Sequence, residues 1–464
     1  MTKRALLVAG VVFAVSVLVP PVASAHGLVG RTDLPIPTWL FGWAAAVVLG
    51  VSFVALSMLW QEPKLQQPRE RRLFRIPKLV DFVCGAVAIA WFGVVVYAGY
   101  KGVQTPTANL APTAIYVILW VGVPVASVLF GDVMRAFNPW RSVGVALRWL
   151  AHGHGWRTRP YPERLGRWPA AIGIVLFAWL ELNYVHKTDP SKLATLAIAY
   201  AVVMLIGMAV YGVEAWSENA DPFGVYFNLF SRLSVWERRA DGTLYVRPPL
   251  SGAPRLPEVA GSTALLVVGI GTTTFDGFSN GPVWASLGPD LTDLFGGGTT
   301  GIELAGTVGL IGCILAIGGF YRLGITGMET VGKGHDTREL RRRFAHTLIP
   351  IAFAYMLAHY FSLLVYQGQA MKYLISDPLG NGSNLFGTAH QGIDYSVISS
   401  TGIWYVQVAA LVCGHVAGLT LAHDRALAIY DNVKEASRSQ YWMLVGMVGF
   451  TSLGLWLLSV IGAR

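Results

Sequence analysis

The chain has 464 residues, 54% of them hydrophobic and only 13% charged, against roughly a quarter charged in ordinary soluble domains. That composition excludes a soluble globular fold and predicts a membrane protein. The net charge of +9 falls between apolar stretches on one side of the chain's expected path, which assigns it to anionic lipid headgroups and not to nucleic acid.

The first 25 residues read as a secretory signal. Lys3 and Arg4 form a charged start, Ala5 to Val19 an apolar run, and Ala23-Ser24-Ala25 a small-residue cleavage site. Cleavage would leave His26 as the first residue. A terminal His offers its amine and a ring nitrogen to one ion, chemistry suited to copper or zinc. If the segment stays as an anchor, the topology of the rest is unchanged. Residues 26–464 are then one transmembrane domain, entered through the stiff Leu34-Pro35-Ile36-Pro37.

Ten segments of about membrane-spanning length follow: 38–60, 79–100, 113–131, 169–185, 193–215, 259–277, 301–321, 345–367, 401–422 and 441–461. Runs this long satisfy their backbone in lipid only as helices, so the fold class is an all-α polytopic bundle. The connections 61–78, 131–168, 216–258, 322–344 and 423–440 hold 27 of the 35 Lys and Arg, whereas the opposite connections and the C-terminus hold 6. Positive loops stay in the cytoplasm, which predicts a plasma-membrane protein with its mature N-terminus and its C-terminus outside. Trp60, Tyr100, Trp168, Tyr184, Tyr366 and Trp442 sit near segment ends, where amphipathic rings favour the interface. Cys84, Cys313 and Cys413 all fall inside segments, which leaves no disulfide framework and no Cys-type zinc site.

A faint repeat joins segments three and four to segments five and six. Segment three runs out into Asp132 and then Asn138-Pro139-Trp140. Segment five runs out into Glu214 and then Asp221-Pro222-Phe223. An Asn or Asp before Pro ends one helix and starts a turn. The amphipathic stretches after them, with Trp140, Val143, Leu147 and Leu150 on one face and Tyr226, Phe230 and Leu233 on the other, fit the cytoplasmic headgroup plane. Duplication and coincidence both account for so short an echo.

Ionisable groups within spans are functional candidates. Glu181 lies near the outer end of segment four. Asp276 closes segment six after Thr272, Thr273 and Thr274, and Glu303 opens segment seven. His359 sits eight residues from the outer end of segment eight, about 12 Å deep at 1.5 Å per residue. It shares a face with Tyr355 and Tyr366. Gln407 lies about 9 Å deep in segment nine on the same rise. Glu181, Asp276, Glu303 and His359 are the candidate catalytic set, and His26 and His359 the candidate ligands of a divalent zinc or copper ion. The bland alternative is that the carboxylates merely mark interfacial ends. In segment nine, His415 is deep and His423 is expected to be a solvated end residue. His359 and His415 could relay protons, but no second pair completes a two-haem arrangement, so haem is not expected. His152 and His154 form an H-x-H without the strand such metal sites need. Gly269-Ile-Gly271 lacks the strand and Lys of a phosphate loop.

The opening Ala25-His26-Gly27-Leu28, the following Asp33-Leu34-Pro35-Ile36-Pro37, and the Phe137-Asn138-Pro139-Trp140 and Asn219-Ala220-Asp221-Pro222-Phe223 turns carry a likeness. On them the chain resembles, over its length, multi-pass actinobacterial membrane proteins that bear the name fenitrothion hydrolase. The resemblance implies hydrolysis of an organophosphorus triester with release of a substituted phenol, a xenobiotic standing in for another native substrate. That reaction needs an activated water and stabilised charge on phosphoryl oxygen, both of which a metal can supply. Two other classes use the same outer polar groups: an ion-coupled permease for a small molecule, and a membrane metal-handling or assembly protein with His26 as the hook.

Overall fold

A computed structural model describes residues 38–151, 157–331 and 336–461. The expected signal segment, His26, His152 and His154 lie outside the described residues. Ten long helices succeed one another: α1 (Thr38–Leu59), α2 (Lys78–Lys101), α3 (Leu110–Phe130), α4 (Trp168–Leu182), α5 (Pro190–Tyr211), α6 (Ser262–Ser279), α7 (Gly298–Glu329), α8 (Leu348–Gln367), α9 (Ser400–Ile429) and α10 (Val433–Ile461). Each matches one of the ten apolar segments. Seven of them, α1, α2, α3, α5, α7, α8 and α9, are long and apolar enough to cross a membrane. Helix α4 is apolar but short. Helix α6 is diluted by its three threonines and Asp276, and α10 opens on a polar turn.

The Lys- and Arg-rich connections meet at one end of the bundle, called here the basic end. A three-stranded antiparallel sheet, ordered β1 (Arg71–Arg75), β3 (Thr243–Val246), β2 (Trp236–Arg238), ties connection 61–78 to connection 216–258. The sequence reading foresaw only helices. The strands are short runs, and the β2–β3 turn has Asp241 accepting from the Thr243 amide at 2.9 Å and Gly242 at φ +83°, the Asp-Gly chemistry of a hairpin. Arg238 pairs with Asp81 at the start of α2, fastening the sheet to the bundle.

Asp424 fixes a second basic-end connection. Its carboxylate accepts from the Trp60 indole (3.0 Å), the Lys64 and Leu65 amides (2.5 and 3.1 Å) and the Gln66 side chain (2.7 Å). His423 beside it donates to the Trp60 carbonyl at 3.0 Å and is fully buried. The expectation of a solvated His423 is therefore corrected: the connection after α1 folds over the end of α9 and covers it.

The two echoing motifs have similar local geometry. Helix α3 breaks at Gly131 (φ +93°) and α5 at Gly212 (φ +94°), conformations that favour glycine. A short helix follows each break, Val133–Ala136 and Val213–Asn219. Asn138 and Asp221 then cap the next helices, accepting from the Arg141 and Gly224 amides, with Pro139 and Pro222 in the first turn. The two motifs also touch. Asn138 donates to Asp221 at 2.7 Å, and Arg135 pairs with Glu218 at 3.1 Å. Both pairs join positions 83 residues apart (221 − 138 and 218 − 135), which is the offset of the repeat.

The helices after the caps differ from expectation. Pro139–Leu150 does keep an exposed apolar edge, with Trp149 at 76% and Leu150 at 64% exposure. Pro222–Ser231 instead turns back into the bundle and packs against α3, α4 and α8. Tyr226, Phe227 and Phe230 are buried there. Its sequence is apolar on nearly every side, as a buried helix requires. Helix α6 is central, in contact with α4, α7, α8 and α10. Gly269 and Gly271 allow that crowding: a Cβ at Gly269 would lie 2.0 Å from the Tyr226 hydroxyl, and one at Gly271 2.7 Å from the Ile314 backbone.

Candidate functional site

The end of α6 opposite the basic end carries Asp276. Because α6 is surrounded, its last turn is enclosed, and the Asp276 side chain is only 15% exposed. The preceding threonines do not serve it. The Thr272 and Thr273 hydroxyls donate back to the Gly269 carbonyl and that of Thr274 to the Ile270 carbonyl. Donors come from α8 instead. His359 Nε2 lies 2.7 Å from Asp276 Oδ2, and Tyr360 Oη donates to the same oxygen at 2.9 Å. The two rings meet edge to face, with centroids 4.7 Å apart. Asn280 closes the turn by donating to the Asp276 carbonyl at 2.8 Å.

Further polar groups lie around this pair. Glu181 on α4 interacts with Asp276, Tyr360 and Lys187. Lys187 Nζ is anchored on the Leu182 carbonyl at 3.0 Å, and its own carbonyl accepts from Tyr116 Oη at 2.7 Å. Tyr116 belongs to a π-helical stretch, Thr113–Gly122, in the middle of α3. Such stretches are rare and gather at functional sites. Pro124, just beyond it, has no N–H to donate back into an α-helical ladder. Trp120 in the same stretch stands beside Tyr360 and stacks on Tyr226, with centroids 6.0 Å apart.

Of the candidate residues, Asp276 and His359 are bonded and Glu181 lies within electrostatic reach of Asp276. Glu303 is engaged elsewhere: Oε1 accepts from the Val185 amide at 3.2 Å. Gln407 is buried on α9 and makes no hydrogen bond to the pair. Tyr355 and Tyr366, which share the helical face of His359 in the sequence, fasten neighbouring backbone instead, donating to the Phe450 and Ile398 carbonyls. Tyr360 and Trp120 were missed by the sequence reading. The only signal for either was a polar aromatic within a span.

No three His, Cys, Asp or Glu side chains converge among the described residues as a metal ion would require. Asp276 and His359 supply two donors, and Nε2 is already directed at the carboxylate, whereas zinc takes three or four protein ligands. This donor set by itself does not fit a zinc or copper centre. What the arrangement offers is proton chemistry: one carboxylate, one imidazole and one phenol on a shared oxygen, enclosed by apolar helices. Fold and site together define a helical bundle with a buried Asp–His–Tyr cluster at the end poor in Lys and Arg. No family model, curated protein or solved structure matches the chain.

Proposed function

We propose that the chain is a ten-span plasma-membrane permease in which the Asp276–His359 pair binds and releases a proton to drive the movement of a small solute. The basic end faces the cytoplasm against anionic headgroups, and the N-terminus after Ala25 and the C-terminus face outward. The observation that carries the reading is the 2.7 Å contact between Asp276 and His359 inside the bundle. An ionisable pair is expensive there and is kept for ion movement or chemistry. Support comes from the parallel repeat and from the Pro222–Ser231 helix that turns back toward the site, features common in transporters.

A second reading is favoured by the same contact. An imidazole held by a carboxylate is a general-base arrangement. With Nε2 on Asp276, Nδ1 of His359 would take a proton from water, the hydroxide would attack the phosphorus of a triester, and the phenolate would leave. This is the hydrolase that the sequence resemblance implies.

Two experiments separate these readings and test the orientation. In the permease reading, proteoliposomes on a sensor surface give pH-dependent currents with some member of a panel of small organic ions, and Asp276→Asn abolishes them. Cleavage of a chromogenic phosphotriester in detergent, lost in Asp276→Asn, would replace the permease by the hydrolase. Ser383→Cys should react with an impermeant maleimide from outside intact cells, and Ala240→Cys should not. The reverse pattern inverts the topology.

A further inference from the structure

We propose that His415 relays protons between the Asp276–His359 pair and the basic end, an inference that rests on the reading of that pair as a proton-exchange site. Helices α8 and α9 touch closely along Gly414-x-x-x-Gly418, a spacing that lets helix backbones meet. A Cβ at Gly414 would lie 2.2 Å from the Ala354 side chain, and one at Gly418 3.0 Å from the Thr347 carbonyl. His415 sits between these glycines and is fully buried.

Its hydrogen bonding is lopsided. Nδ1 lies 2.8 Å from the Leu411 carbonyl, which can only accept, so Nδ1 carries the hydrogen. Nε2 is then the lone-pair nitrogen, and it has no partner among the described residues. Leucine or methionine would fill this space with no polar atom to satisfy, so packing does not account for an imidazole here. A basic nitrogen with a free lone pair is, however, what a proton relay needs. A single water would complete its bonding.

The surroundings direct it toward the candidate site. The Tyr355 ring lies 5.9 Å from the His415 ring, and Tyr355 is one helical turn from His359 on α8. Tyr355 is itself clamped by α10, where its hydroxyl reaches the Phe450 carbonyl and a Cβ at Gly454 would sit 2.7 Å away. Tyr355 is the titratable group that faces His415, and no ion pair to His415 occurs among the described residues. Two turns further along α9, His423 repeats the pattern, with one ring nitrogen on a backbone carbonyl and Nδ1 bare and buried. In order along the helices from Asp276 and His359 toward the basic end come Tyr355, His415 and His423, the last two eight residues apart on α9. In the step itself Nε2 of His415 takes a proton to form imidazolium and later gives it up from the same nitrogen. The Nδ1 hydrogen stays on the ring, donated to the Leu411 carbonyl.

Deuterium exchange at the imidazole C2 carbon, read by mass spectrometry on the full-length protein from pH 4 to 9, reports each histidine separately. Both His359 and His415 should exchange with a sigmoidal pH dependence, and Asp276→Asn should slow exchange at His415 severalfold. In proteoliposomes His415→Gln should reduce the pH-dependent solute current severalfold and leave the His359 titration in place. A titrating His359 with a silent His415, or a wild-type current in His415→Gln, overturns the relay and spares the proton-exchange reading. Silence at both histidines overturns both. If His415→Gln does not fold, the exchange profile of the unaltered protein still decides.

Discussion

Asp221 and Asp276 are both enclosed carboxylates, one at each end of the bundle, and their surroundings differ in kind. Asp221 is fully buried and accepts four hydrogen bonds, from Asn138, Trp140, Tyr200 and the Gly224 amide. None of those donors gives up a proton near neutral pH. Asp276 accepts from Tyr360 and, at 3.5 Å, from the Asn280 side chain, and it faces the ionisable ring of His359, with a second carboxylate, Glu181, within electrostatic reach. Asp424 resembles Asp221, since indole, amide and side-chain donors saturate it. A saturated carboxylate with inert donors holds the fold together. One that shares an oxygen with an imidazole and a phenol is placed for exchange.

The contrast is open to attack by mutation. The largest effect should follow Asp221→Ala, which strands two buried and two part-buried donors at about 1–3 kcal/mol each. A loss of at least about 4 kcal/mol is expected, seen as failure to accumulate folded protein or a collapse of the thermal transition in detergent. A mild effect would mean that the motif contact is dispensable. Asp276→Asn should do the opposite, leaving the transition nearly in place while cutting solute-driven current by roughly a hundredfold or more. If it behaves like the Asp221 variant, the distinction between the two carboxylates fails. Asp424→Asn should cost about 2 kcal/mol by weakening several bonds to a charged acceptor, with new protease cleavage between residues 60 and 66 as the readout. Gly269→Ala should lower stability by about 1–3 kcal/mol through overpacking against Tyr226, and pairing it with Tyr226→Phe should recover part of that. Glu303→Gln should be smallest, within about 0.5 kcal/mol and with current near wild type. A large loss there would bring Glu303 back into the site.

Much of the frame was legible from hydropathy and charge. Ten apolar segments became ten helices, and the alternate basic connections do gather at one end. Asp276 and His359 could be singled out because ionisable side chains inside spans are so few. Their partners could not. Spacing on α8 favoured Tyr355 and Tyr366 beside His359, but Asp276 approaches from the side of Tyr360, a direction set by the packing of α6 on α8. Glu303 looked equivalent to Asp276 because one-dimensional depth says nothing about position around the bundle. The Pro222–Ser231 helix was assigned to the headgroup plane from one apolar face, although its other faces were apolar too. The sheet arises where two connections distant in sequence meet, and neither carries a strong strand signal alone.

The meeting of Asn138 with Asp221, and of Arg135 with Glu218, bears on the chain's history. If the two motifs arose from a single gene segment, the positions that now pair once faced identical copies of themselves. Two aspartates would have repelled each other, and so would two arginines, whereas paired asparagines can bond reciprocally. Fusion into one polypeptide lifts that restriction, because each half then varies alone. The present Asn/Asp and Arg/Glu pairs are combinations that a symmetric homodimer cannot encode, so the asymmetric carboxylate at the first of them would have been acquired after the halves were joined.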